Sequence, residues 1–159
     1  MKILVVSDTH RNFEALEKVI RKNTNADMLI HLGDGEREFE DAQSAFPQLP
    51  MVYVRGNCDF GNHKTTHVVS TGCGVNIYCC HGHTLGVNGG IGMLVANAVM
   101  NDCKIALYGH THIHFTDISG GVHVMNPGSP SCPRGGNKPT YGVIELSVNG
   151  EIDMHIAEV

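Results

Sequence analysis

The sequence predicts an α/β (α+β) protein in which two β-sheets pack face to face with helices outside. Three observations lead there. Strand-length apolar runs recur along the whole chain, helical patterns separate the first three of them, and the later runs alternate and follow one another as hairpins.

The runs are Lys2–Val6, Met28–Leu32, Met51–Arg55, Thr66–Ser70, Val75–Cys80, Lys104–Tyr108, His114–Ile118, Val122–Met125, Tyr141–Ser147 and Ile152–Ile156. The first three are almost continuously apolar, as strands covered on both faces are. Alternation in His123-Val124-Met125 and Val143-Ile144-Glu145-Leu146 suits antiparallel pairing. Phe13, Leu16, Val19 and Ile20 repeat at helical spacing after Asn12, a good N-cap, and end at Arg21-Lys22. Phe39, Ala42 and Phe46 mark a second helix stopping before Pro47. Ile91, Leu94, Val95, Ala98 and Val99 mark the third and clearest. A single doubly wound sheet would need more helices than these.

The chain has 159 residues, and residues 1–159 are expected to form one domain. A domain of that size buries roughly 70% of its unfolded surface and needs no disulfides. The six cysteines form no CxxC pair, and Cys79 adjoins Cys80, so reduced thiols and a cytoplasmic location are expected. Ile3-Leu4-Val5-Val6 is too short for a signal core, and no apolar stretch reaches membrane-spanning length. A net charge of -5, with no run of like charges, argues against a duplex nucleic-acid partner. No membrane partner is expected; a homo-oligomer is left open.

Five polar clusters share one position, just beyond the C-terminal end of an apolar run. They are Ser7-Asp8-Thr9-His10, Gly33-Asp34-Gly35, Gly56-Asn57-Cys58-Asp59, His81-Gly82-His83 and Gly109-His110-Thr111-His112. Ligands of open α/β sheets bind beyond strand carboxyl ends, so the clusters can converge on one site. Taken singly, an Asp there is more often a turn cap and a His a hydrogen-bonded structural residue. Five equivalent clusters are hard to explain in that way.

Asp8, His10, Asp34, Asn57, His81, His110 and His112 offer oxygen and imidazole donors without thiolate. That mixture suits Mn, Zn, Fe, Ni or Co rather than a structural zinc–thiolate site. Seven ligands suit two ions sharing a carboxylate. Such a pair, roughly 3.5–4 Å apart, activates a water and stabilises in-line displacement at phosphorus. Two divalent ions against Asp8, Asp34 and a hydroxide leave the centre net positive, which fits a phosphate ester.

Asp8-x-His10, Gly33-Asp34, Gly56-Asn57, His81-Gly82 and Gly109-His110-x-His112 resemble the five motifs of the calcineurin-like metallophosphoesterase family. Gly56-Asn57-Cys58-Asp59 and Asn126-Pro127-Gly128-Ser129, with Pro133-Arg134, are similar to the short YfcE-type phosphodiesterases of that family. The resemblance implies a four-layer αββα sandwich of two mixed β-sheets flanked by helices. It implies two divalent metal ions, with Mn the first choice, and hydrolysis of a small phosphate ester, most readily a diester. Asp8, His10, Asp34 and His112 would hold the first ion, with Asp34 bridging. Asn57, His81 and His110 would complete the second, and a hydroxide between the ions would attack phosphorus. Asp34, Asn57 and His81 are the catalytic positions, and Asn57, Arg11 and His83 the substrate contacts.

Position 58 departs from the pattern. Many relatives carry His there, protonating the leaving group, whereas Cys58 is a weak hydrogen-bonding group with an ordinary pKa of about 8.5. Asp59, which orients that His in relatives, is expected to have lost its partner. The enzyme should then favour good leaving groups or recruit His83 or His63. His31, His67, His114, His123 and His155 are expected to be structural or surface residues. The alternative to an enzyme is a scaffold like the small retromer subunit. A nuclease is disfavoured, because the chain lacks a basic surface.

Overall fold

A computed structural model describes residues 1–159. The strands are β1 (Lys2–Val6), β2 (Met28–His31), β3 (Met51–Tyr53), β4 (Thr66–Ser70), β5 (Asn76–Cys80), β6 (Ile105–Leu107), β7 (Phe115–Ser119), β8 (Val122–Asn126), β9 (Thr140–Leu146) and β10 (Ile152–Glu158). The helices are α1 (Phe13–Lys22), α2 (Glu36–Ala45) and α3 (Gly92–Met100). A short 3₁₀ turn at His83–Leu85, bracketed by Gly82 and Gly86 in left-handed conformation, has no apolar periodicity to announce it.

Two five-stranded mixed sheets, ordered β10-β9-β1-β2-β3 and β4-β5-β6-β8-β7, form the centre. The alternating pleat decides which side chain goes where. Ile3 and Val5 of β1, Ile77 and Cys79 of β5, Ile105 and Leu107 of β6 and Ile144 and Leu146 of β9 meet between the sheets. Their neighbours Leu4, Val6, Tyr141 and Val143 face α1 and α2, while Tyr78, Cys80, Ala106 and Val124 face α3. The result is the four-layer αββα sandwich.

The alternation in β8 indicated antiparallel pairing, and the structure shows only half of that. β8 runs antiparallel to the edge strand β7 but parallel to β6, which is itself parallel to β5. Both faces of β8 are covered, with Met125 between the sheets and Val122 and Val124 under α3. Only His123 keeps partial exposure.

β1 and β2 are parallel, as are β5 and β6, and the contacts of Asp8 after β1 with His81 after β5 and His110 after β6 put these strand ends on one rim of the sandwich. Asn12 caps α1, its Oδ1 accepting from Ala15 N–H at 3.0 Å. α2 starts at Gly35, which has no capping side chain. A carboxylate from the β3 loop does that work instead: Asp59 Oδ1 accepts from Gly35 N–H at 3.1 Å and Glu36 N–H at 3.2 Å.

Candidate metal centre

Each sheet delivers its polar cluster to this rim through a backbone bend that ordinary residues avoid. Seven non-glycine residues have positive φ, and six of them are Asp8, His10, Arg11, Asp34, His110 and His112. Such backbone costs of order 1 kcal/mol or more per residue and persists where the surroundings over-determine it. The bends turn the side chains inward at the strand ends.

Asp8 is the innermost. Its Oδ2 accepts from His110 N–H at 3.0 Å, but its buried Oδ1 receives no hydrogen bond. Facing Oδ1 are three imidazole nitrogens: His112 Nε2 at 3.3 Å, His10 Nε2 at 3.8 Å and His81 Nε2 at 3.9 Å. Asp34 Oδ2 lies 3.5 Å from His81 Nε2 and 3.8 Å from His10 Nε2, while its Oδ1 accepts from Cys58 N–H at 2.7 Å. Burial by itself would raise both carboxyls. The facing histidines outweigh it, aided at Asp34 by Cys58 N–H, and hold both below the usual carboxylate range.

The histidines are aimed from behind. His81 Nδ1–H donates to Leu32 O at 2.7 Å and His112 Nδ1–H to Cys132 O at 2.6 Å, leaving Nε2 of each facing the carboxylates. His81 Nε2 then meets Asn57 Oδ1 at 3.1 Å, and His112 Nε2 meets His10 Nε2 at 3.1 Å. Acceptor against acceptor is repulsive unless a proton or cation lies between. The rings already respond. His112 is raised above its ordinary value chiefly by Asp8, and His81 is raised by Asp34 and Asp8 despite the opposing effect of burial. An orphaned carboxylate oxygen ringed by imidazole lone pairs is a donor set that fits divalent cations. Three clusters have ligand atoms within 4.8 Å of one another: Asp8, His10 and His112; Asp8, Asp34 and His81; and His10, Asp34 and the Cys58 thiol.

His110 and Asn57 belong to none of these clusters, and His110 Nε2 accepts from Asn88 Nδ2 at 3.1 Å. Its ring lies edge-on to His81, 5.2 Å between centroids.

The decisive comparison is with protein families: the calcineurin-like phosphoesterase superfamily domain matches residues 1–149. The chain belongs to that superfamily. The "Probable metallophosphoesterase YsnB" of Bacillus subtilis is 29% identical over 92% of this chain and 85% of its own length. Phosphodiesterase YfcE of Escherichia coli K12 is 28% identical over 93% of this chain and 89% of its own. A predicted phosphoesterase structure from Streptococcus pneumoniae superposes with a TM-score of 0.78 at 26% identity, covering 98% of this chain and 97% of that one. Vps29 of Entamoeba histolytica, solved with zinc, shares the fold at a TM-score of 0.74 and 20% identity, covering 99% and 98%. By that membership the chain is a metallophosphoesterase.

Asp59 makes no hydrogen bond to residue 58 but has taken other partners. Besides Gly35 and Glu36 N–H, it accepts from Asp34 N–H at 2.9 Å, Gly56 N–H at 2.7 Å and Tyr53 O–H at 2.6 Å. Together these ties outweigh burial and lower its pKa. They pin the Asp34 and Asn57 loops to one another. A sequence reading misses this, because the partners are mostly backbone N–H groups common to any residue.

Glu38 was also unforeseen. Buried on α2, it accepts from Thr9 Oγ1 at 3.1 Å and from Arg11 N–H, anchoring the bend after Asp8. The Asn126–Ser129 segment clamps the same bend: Ser129 Oγ donates to Asp8 O at 2.8 Å, and Asn126 Nδ2 to Gly109 O at 2.9 Å.

Gly56 and Gly109 are required by close approach. A Cβ at Gly56 would stand 2.0 Å from Asp34 Oδ1, and one at Gly109 would stand 1.9 Å from Ser7 Oγ. Cys58 is exposed, and its thiol is pushed up to about 11, first by partial burial and then by Asp34. His83 is half-buried, with its ring 5.4 Å from His81, and burial lowers its pKa. Arg11 is exposed in a groove of about 820 Å³ that opens from His10 and Asp34. A second depression of about 500 Å³ lies around Met1 and Asp153 and contains no candidate ligand.

Proposed function

We propose that the chain hydrolyses small phosphodiesters at a dinuclear centre held by Asp8, His10, Asp34, Asn57, His81, His110 and His112, with Mn the preferred metal. The single observation that carries this reading is the partnerless buried Asp8 Oδ1 facing three imidazole nitrogens. When bound, two divalent ions supply a hydroxide nucleophile at neutral pH and neutralise charge developing on phosphorus.

The protein's own contribution is position. Asp34 faces both His10 and His81, which suits it to the bridging role. Asn57 is exposed at the mouth, its Nδ2 donating to Cys58 Sγ at 3.2 Å and its Oδ1 turned to His81. Arg11, on the groove wall, supplies a cation for the ester's second oxygen, and His83 stands beside His81, outside the lining of that groove. Cys58 offers the leaving group only an uncharged thiol, so esters of acidic alcohols should be the better substrates. Glu36 Oε1 is 3.6 Å from His63 Nε2, and His63 is not among the residues lining the groove.

The reading is tested by hydrolysis of bis(p-nitrophenyl) phosphate with Mn added or withheld, on wild type and His81→Ala. Mn-dependent turnover that His81→Ala abolishes is expected. If no divalent metal supports turnover by wild type, the scaffold reading replaces this one.

A further inference from the structure

The groove that opens from His10 and Asp34 is much larger than a phosphate, and its far wall carries Phe60 with 96% of its surface exposed. An isolated exposed apolar residue on a protein surface is ordinary. Phe60 is not isolated: it lines the same groove as Asp34, Cys58, Phe13, Arg11 and Arg37. It also stands on a restrained loop. On one side Asp59 is pinned by its backbone donors. On the other Gly61 N–H donates to Glu36 Oε2 at 2.9 Å, and Gly61 O accepts from Arg55 Nη1 at 3.2 Å. A bare ring is therefore held beside the candidate metals by backbone tied on both sides.

The charges of the groove point the same way. Asp34, Glu36, Glu38 and Asp59 are engaged by hydrogen bonds. Arg11 and Arg37 form no ion pair, leaving two free guanidinium groups against Asp41. Guanidinium groups take phosphate oxygens and also lie over flat rings.

We infer that this groove is a subsite for the retained half of the diester, and that it takes a nucleoside, whose base stacks on Phe60. The inference rests on the phosphodiesterase reading above. A sugar or alkyl group gains only apolar contact from an exposed aromatic face, whereas every nucleobase also stacks a whole π-face on one.

The test compares two esters with the same leaving group on the Mn-loaded enzyme: p-nitrophenyl methyl phosphate and thymidine 5′-(p-nitrophenyl phosphate). The expected kcat/KM preference for the thymidine ester is about tenfold, in the range that one stacked base contributes. Phe60→Ala should bring the ratio close to unity, and Phe60→Trp should preserve it. A ratio indifferent to both substitutions, with both esters turned over, overturns the subsite and leaves the hydrolase standing. Wild type that turns over neither ester sinks both.

Discussion

Asp59 holds the backbone N–H of Asp34 at 2.9 Å, and the same carboxylate holds that of Gly56 at 2.7 Å. One side chain thus fixes the loop carrying the central carboxylate of the site against the loop carrying Asn57. The position of a candidate ligand is here decided by a group that need never touch metal or substrate.

Asp59→Asn should therefore cost more than an ordinary surface change. One acceptor oxygen becomes an N–H₂ pointed at backbone N–H groups, and charge-assisted bonds of this kind contribute about 1.5–3 kcal/mol each. A loss of about 3 kcal/mol in urea unfolding is expected, together with a weaker metal titration. Unchanged stability and unchanged metal affinity would show that the loops are placed by something else.

Gly56→Ala isolates the same contact without touching a charge. The new Cβ would fall 2.0 Å from Asp34 Oδ1, so the carboxylate must move. Metal affinity should drop by at least about tenfold, the scale seen when ligand-orienting contacts are lost. Calorimetric titration with Mn measures it.

How much of this was legible beforehand differs by feature. The ten strands show as apolar runs because the pleat repeats every two residues and both sheets are covered. The five polar clusters show because Asp, His and Asn follow those runs directly. The parallel direction of β8 does not show, since alternation reports which faces are covered and not strand direction. Nor does the bend at Asp8, His10, Asp34, His110 and His112, where residues other than glycine carry positive φ. The part played by Asp59 lies in backbone N–H groups that leave no trace in residue identity. His110 carries the ligand motif, yet its Nε2 faces Asn88, a pairing across two loops that spacing cannot reveal.

Stability should fall with acid in a window set by His31. Its Nδ1 accepts from Gly33 N–H at 3.2 Å, so Nε2 carries the proton toward Thr9 Oγ1 at 3.1 Å. A second proton would face Gly33 N–H in a fully buried site. Burial, opposed by Asp8 and Asp59, accordingly lowers its pKa from 6.5 to about 4. Above pH 6.5 both folded and unfolded states are neutral, and the contribution is intact. As pH falls toward 4 the unfolded chain takes up a proton that the folded protein refuses, and roughly 3 kcal/mol is lost. The urea midpoint should decline across that window in wild type and more gently in His31→Gln. Equal slopes would remove His31 from the account.

Cys58→His should restore an acid at the mouth of the site. Cys58 remains a neutral thiol at working pH, with its pKa pushed up to about 11, and supplies little proton-transfer assistance. The variant should hydrolyse poor leaving groups with a gain of about tenfold or more, while activated aryl esters change little. A leaving-group series across substituted phenyl diesters reads this as a shallower dependence on phenol pKa. An unchanged slope would discredit the role given to position 58.

The central claim is that these side chains form a cage for divalent cations around Asp8 and Asp34. Metal content of the Mn-saturated, gel-filtered protein, measured by mass spectrometry beside Asp34→Asn, tests it most directly. The account predicts about two ions per chain in wild type and no more than one in the variant, by the usual two-metal arrangement. Wild type that retains no metal, or a variant that retains as much as wild type, would contradict it.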